Sequence, residues 1–136
     1  MGGKAIAYVL DSFALLAYLE AEEGMPRVRQ VLNDASAGRC TVHLSLINLG
    51  EIAYIVERER GLAQAQEMLC LIDQLSIEIL PASREAVLAA SHIKAGHPVA
   101  YADAFAVTAA QALDAVVLTG DPKFDSGKAL VRVERI

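Results

Sequence analysis

The sequence has no tryptophan, only two cysteines and three histidines, and no excess of basic residues. Cys40 and Cys70 are far apart and match neither a CxxC nor a zinc-ligand spacing. That fits a reducing cytosol in which both are small apolar core residues. No histidine has a convincing ligand partner, which argues against zinc, and His43 and His92 read as structural. Lys and Arg number 12 against 17 Asp and Glu, giving a formal net charge of −5 and a pI near 5.1. A basic face built to grip duplex nucleic acid is therefore not evident, and any such contact must be local or assisted by a cation. Tyr8, Tyr18, Tyr54 and Tyr101 are too dispersed to form a base-stacking platform.

An uninterrupted membrane-length run is missing as well. The longest apolar stretch, Val99 to Leu118, contains Asp103, Gln111 and Asp114. Each central Asp costs roughly 2.5–3.5 kcal/mol on insertion scales, so the stretch reads as a soluble core segment. The start, MGGKAIAYVLD, lacks a small-residue cleavage site, and Ile6 stands where a myristoylation motif needs Ser or Thr. A cytoplasmic protein with no membrane partner is expected. There is no linker, repeat or low-complexity segment. With 54% hydrophobic residues over 136 positions, the expectation is one domain, 1–136, with a real core.

The pattern of what is present alternates strand and helix. Ala5 to Leu10 reads as a buried strand, followed by a helix from Ser12 to Glu20 with Leu15, Leu16 and Leu19 on one face. A break at 22–26 precedes a helix from Arg27 to Ala37, closed by Gly38. Cys40 to Leu44 is a second strand, and Ser45 caps a long helix ending at Gly61. A helix from Leu62 to Leu75, a strand from Ser76 to Leu80 and a helix from Ser83 to Ala95 follow. Asp103 falls in the first turn of the next helix, which ends near Leu113. Strands at Ala115 to Leu118 and Leu130 to Val133 flank a polar loop, Thr119 to Gly127. Core strands that are apolar throughout and alternate with helices indicate a parallel sheet covered on both faces.

In such sheets functional groups gather beyond the carboxyl ends of the strands. Asp11 follows the first strand directly, Asp121 follows the fourth, Glu51 lies in the helix after the second, and Asp103 opens the helix that feeds the fourth. Each acid has a plain structural reading. Asp11 can cap a helix, Asp103 can be a first-turn acid favoured by the helix dipole, and Asp121 can be a turn residue before Pro122. Glu51, in the middle of a helix beside Leu49, Ile52 and Ala53, is harder to explain in that way. Like carboxylates do not gather without a reason, because each raises the cost of ionising the next. A hard cation such as Mg²⁺ or Mn²⁺, which prefers oxygen ligands, supplies one.

Four segments bear on this choice: YVLDSFALLAYL with Asp11 and Ser12, LSLINLGEI with Asn48 and Glu51, YADAFAVTAA with Asp103, and VVLTGDPKF with Thr119, Asp121 and Phe124. In this order and spacing they resemble the PIN-domain ribonucleases, specifically the VapC-type toxins of toxin–antitoxin pairs. The resemblance covers nearly the whole chain. It implies a three-layer α/β/α domain with a mostly parallel five-stranded sheet. It also implies a Mg²⁺- or Mn²⁺-dependent endoribonuclease that leaves 5′-phosphate and 3′-hydroxyl ends. By that resemblance Asp11, Glu51, Asp103 and Asp121 hold one or two cations and are catalytic. Ser12 and Thr119 orient carboxylates, and Asn48 is a polar group near the site. A homodimer and a cognate antitoxin that inserts a segment near the pocket are implied in the same way. Lys123 departs from the pattern, standing where many relatives carry Asp or Glu, although Asp125 is close enough to substitute. At the rim of an acidic pocket Lys123 can pair with Asp121 or Asp125, or contact an RNA phosphate.

Other cations read more plainly. Lys94 and His97 form a solvated loop in preference to an RNA contact, and Arg27, Arg29 and Arg39 an exposed face in preference to a phosphate path. A haloacid-dehalogenase-like phosphatase needs a second Asp two residues after the first, where this chain has Phe13. A receiver domain needs a phosphoacceptor Asp after the third strand, where Pro81 stands. The alternative of another class is a catalytically silent PIN scaffold kept as a protein-binding module, against which the intact acids argue.

Overall fold

The structure, a computed structural model, describes residues 5–122, 124 and 130–136; Lys123 and Asp125 lie outside the described residues. The chain runs β1 (Ile6–Leu10), α1 (Ser12–Leu19), α2 (Met25–Ser36), β2 (Cys40–Ser45), α3 (Leu46–Arg60) and α4 (Leu62–Asp73). It continues through β3 (Glu78–Leu80), α5 (Arg84–Gly96), α6 (Tyr101–Leu113), β4 (Val116–Thr119) and β5 (Arg132–Arg135). The strands form one sheet in the order β3-β2-β1-β4-β5, and all four pairings are parallel.

The period of two along each strand divides the apolar residues between two cores. Leu10 and Leu118, which are register partners, point with Val42 and Leu44 toward α1 to α4, where Leu15, Val28, Ile52 and Ile72 are buried. Val9 and Val117, the adjacent register pair, point the other way, toward Ala90, Ala104, Phe105 and Val107 of α5 and α6. Helices therefore cover both faces, which is the expected three-layer arrangement. Each fully buried Leu or Ile contributes about 1.5–3 kcal/mol by leaving water. The apolar stretch from Val99 resolves into α6 and β4, and no described helix is long and apolar enough to cross a membrane.

The helix starts follow the sequence signals. Asp11 accepts from the Ala14 amide, Ser45 from Ile47 and Ser83 from Ala86, so three side-chain caps open α1, α3 and α5. Differences have local causes. Helix α2 begins at Met25 because Pro26 sits in the first turn, where its missing N–H is not needed. Strand β3 begins at Glu78, since the Ile77 amide donates to Leu75 and holds a turn there. Strand β5 lies two residues later than expected and is charged, RVER, as suits an edge strand. Strand β2 is not apolar throughout: buried His43 hydrogen-bonds Glu78 (2.8 Å) and Thr41 (3.0 Å) across the sheet surface. Cys40 is buried as expected, whereas Cys70 is exposed on α4.

The strand order matters most for function. From β1 the chain moves through β2 to β3 on one side, then returns to place β4 and β5 on the other. The connections after β1 and β4 consequently diverge, leaving a crevice beyond their carboxyl ends where ligands of open α/β sheets bind. Register pairs Leu10 with Leu118, so Asp11 and Thr119 emerge side by side at that point.

Candidate active site at the strand ends

Asp11 is fully buried. Its carboxylate accepts from the Ala14 amide (2.7 Å), the Gly120 amide (3.4 Å) and the Thr119 hydroxyl, in a short hydrogen bond. Burial pushes this carboxyl up to about 6. The donors from Thr119, Ala14 and Gly120 oppose that rise, and the Asp121 charge adds to it. The structural reading of Asp11 as a helix cap and the functional one are thus both met by one side chain, since the oxygen that caps α1 also ties β1 to the β4 loop.

Thr119 accordingly orients a carboxylate. The same hydroxyl oxygen accepts from the Asp121 amide (2.9 Å), fixing the turn that carries the next acid. Gly120 lies so close to α1 that a Cβ there would sit 3.1 Å from the Phe13 carbonyl group. A Cβ would press on the α1 backbone there, and the close approach lets the Gly120 amide reach Asp11. Arg135 on β5 donates to the carbonyl oxygens of Asp121 and Pro122, both at 3.3 Å. Neither Gly120 nor Arg135 was singled out from the sequence. Gly120 had a legible signal in the TGD turn; Arg135 had none, because its role depends on strand pairing distant in sequence.

Asp103 is half-buried in the first turn of α6, a helix with no side-chain cap of its own. Its carboxyl is pushed up to about 7, first by burial and then by the charges of Asp11, Asp121 and Glu51. The four acids, drawn from four separate segments, therefore act on one another across the crevice. Glu51 is half-buried in the second turn of α3. Ser12 and Asn48 are buried together: the Ser12 hydroxyl donates to the Asn48 carbonyl oxygen (3.3 Å) and accepts from its Nδ2 (3.0 Å). Ser12 is thus engaged with Asn48, and no hydrogen bond joins it to a carboxylate among the described residues. The Asn48 amide also donates to the Ala102 carbonyl oxygen (3.3 Å).

Arg27, Arg29, Arg39 and Lys94 each have a partner away from the four acids. Arg27 makes a two-toothed pair with Glu134 (2.6 and 3.1 Å) and lies over the Tyr8 ring, so it is a half-buried strut and not an exposed face. Arg39 pairs with Asp34 at 2.8 Å on the surface, and Arg29 contacts Met25. Lys94 donates to the Val99 carbonyl oxygen (2.9 Å), tying down the loop before α6.

Among the described residues, no three His, Cys, Asp or Glu side chains are already disposed to hold an ion. The chemistry of the set nonetheless fits a hard divalent cation. All four groups are oxygen donors, burial and then the charges of the other three hold Asp103 well above the usual carboxylate range, and the buried Asn48 Oδ1 has no partner among the described residues.

Comparison with known proteins agrees with this architecture. The PIN domain family model matches residues 8–129. Among curated proteins, none matches the chain. Among solved structures, VapBC2 from Rickettsia felis bound to a promoter DNA fragment is similar at 19% identity and a TM-score of 0.73, over 96% of this chain and 99% of that one. DNA-bound VapBC from Salmonella typhimurium is similar at 20% identity and a TM-score of 0.73, over 96% and 98%. VapC20 from Mycobacterium tuberculosis, a sarcin–ricin-loop-cleaving toxin, is similar at 15% identity and a TM-score of 0.68, over 87% and 92%. These likenesses concern the fold, while the family match spans Asp11 through Asp121 and the β4 loop; the chain belongs to the PIN-domain family.

Proposed function

We propose that the chain is a Mg²⁺- or Mn²⁺-dependent endoribonuclease, with residues 1–136 forming one nuclease domain, and that it is the toxin of a VapBC-type toxin–antitoxin pair. The observation that carries this reading is the convergence of four carboxylates on the sheet's switch point, where the charges of three add to burial in raising the fourth. A protein has little reason to sustain that repulsion unless a cation relieves it. The toxin–antitoxin part rests on the similar folds, which come from VapBC complexes and from a toxin that cleaves the sarcin–ricin loop. On this reading the chain acts in the cytoplasm, pairs with a second copy of itself and is held by a cognate antitoxin.

Asp11, Glu51, Asp103 and Asp121 would hold the cation. When bound, the cation offsets the pocket's negative charge, polarises the scissile phosphate and acidifies a water. Asp11 contributes a fixed carboxylate, because donors from Thr119, Ala14 and Gly120 stop it from swinging. Asp103 holds a proton over part of the neutral range when the pocket is empty of cations and must release it on loading, so cation affinity rises with pH through about 7. Water attack on phosphorus with loss of the 3′-oxygen gives 5′-phosphate and 3′-hydroxyl ends.

The test is cleavage of structured RNA by protein freed of any partner. Cutting is expected with Mg²⁺ or Mn²⁺ and should cease with chelator. Activity that persists in chelator, or that only zinc supports, overturns the assignment.

A further inference from the structure

One side chain joins the starts of the three helices at which Asp11, Glu51 and Asp103 stand. Asn48 is fully buried in the first turn of α3, one turn before Glu51 on the same side of the helix. Its Nδ2 donates to Ser12, the residue after Asp11 on α1, and to the carbonyl oxygen of Ala102, the residue before Asp103 on α6. The Ser12 hydroxyl closes the link by donating to the Asn48 carbonyl oxygen. Ala102 offers only a backbone acceptor, so the amide orientation is settled: a flipped amide would set two carbonyl oxygens against each other. Its Oδ1 is buried without a partner among the described residues. Leaving a buried acceptor unpaired is unfavourable, and an apolar residue would avoid it. What Asn48 supplies in return is a pair of donors in one plane, which serine, threonine and aspartate cannot provide.

We propose that Asn48 is a positioning residue: it sets the spacing of the α1, α3 and α6 starts, and so of Asp11, Glu51 and Asp103, and thereby the affinity for the cation. This rests on the metal-dependent reading of the site and names what tunes it. Asn48 holds no ligand in this role and acts through the acids beside its partners.

The test uses thermal melts of the full chain in chelator and over a Mn²⁺ titration, with RNA cleavage at saturating Mn²⁺ alongside. Val31→Ala serves as a control, because Val31 is buried next to Cys40 at the opposite, amino end of β2. Asn48→Ala should raise the half-saturating Mn²⁺ concentration about 10–100-fold, as loss of an outer support for metal ligands does. At saturating Mn²⁺ it should lower kcat with little change in KM. Val31→Ala should melt lower in chelator yet keep its Mn²⁺ midpoint within about twofold of the parent. If Asn48→Ala does not fold, Ser12→Ala removes the joint to α1 alone and should still move the midpoint upward. A parent that responds to Mn²⁺, with Asn48 and Ser12 variants that match it, overturns this inference and leaves the nuclease reading intact. Equal midpoint shifts in Asn48→Ala and Val31→Ala also overturn it, by showing general softening. A parent that ignores Mn²⁺ overturns both.

Discussion

Asp11 and Asp103 each stand at the start of a helix, and their charges act on each other, yet the two helix starts treat their acids differently. At α1 the carboxylate is wholly buried and surrounded by donors from Thr119, Ala14 and Gly120. At α6 the carboxylate is half-buried, and the charges of Asp11, Asp121 and Glu51 add to burial in raising it. The more deeply buried group is nevertheless the less perturbed, at about 6 against about 7. Hydrogen-bond donors compensate burial, and neighbouring acids compound it. Asp11 therefore has a structural role whether or not a cation is bound. Asp103 has only the weaker structural role of a first-turn acid favoured by the helix dipole.

The largest expected effect treats the two acids alike. Asp11→Asn and Asp103→Asn should each lower kcat/KM for RNA cleavage by about 100-fold or more, since removing an outer support alone costs 10–100-fold. Initial rates over a range of RNA concentrations at fixed Mg²⁺ would show it. A variant at either position that keeps near-parental activity removes that residue from the site.

Stability should then separate them. In chelator near pH 8, Asp11→Ala should lose about 0.5–2 kcal/mol through the lost cap, with Thr119 and Gly120 left unpaired as well. Asp103→Asn should melt higher than the parent, because one repelling charge is gone. With Mg²⁺ at 100 times its Kd the parent should gain about 2.7 kcal/mol and the Asp103 variant much less. Melting curves with and without Mg²⁺ test both signs, and an Asp103→Asn protein that is less stable in chelator would show that this acid has a structural partner after all.

The pH dependence is a smaller effect with a definite sign. Both carboxyls sit higher in the folded protein than their ordinary value of 3.8, so the unfolded chain gives up these protons more readily. The stability they contribute is fully present below about 3.8 and is lost as pH rises through about 6 for Asp11 and about 7 for Asp103. Relative to Asp103→Asn, the chelated parent should lose stability between roughly pH 4 and 8. Denaturant midpoints of the pair across that range would show a widening gap; parallel curves would mean that Asp103 is not raised.

How much of this was legible beforehand follows the same division. Caps at Asp11, Ser45 and Ser83 and the apolar periods of β1, β4 and α6 are local signals, and the structure follows them. The ends that shifted, at Pro26, Ser76 and Leu130, are places where a neighbouring turn or edge pairing decides. The four acids stood out because each breaks or ends an apolar segment. What holds them did not: the Asn48 bridge from Ser12 to Ala102 and the grip of Arg135 on the Asp121 turn join segments far apart in sequence. Cys70 and Arg27 differ from expectation for the same reason, since exposure and an ion-pair partner on β5 are tertiary facts.

Arg135 gives the smallest expected effect, and it bears on a third way of holding an acid. Asp11 is held by its carboxylate and Asp103 by its place on a packed helix, but Asp121 is held partly by its backbone, through the guanidinium fork on its own carbonyl and that of Pro122. Arg135 is exposed, and hydrogen bonds to neutral carbonyls contribute about 0.5–1.5 kcal/mol each, less where water competes. Arg135→Ala should therefore lower kcat/KM only severalfold and barely change the melting temperature in chelator. Arg135→Lys decides why. Lysine keeps the positive charge at the rim of the acidic pocket but cannot present two donors in one plane. If the fork on the turn is what matters, the Lys variant behaves like the Ala variant and the salt dependence of RNA cleavage stays at the parental value. If Lys restores parental rates and Ala alone flattens the salt dependence, Arg135 acts on the RNA by its charge, and the Asp121 turn is held by Thr119 without it.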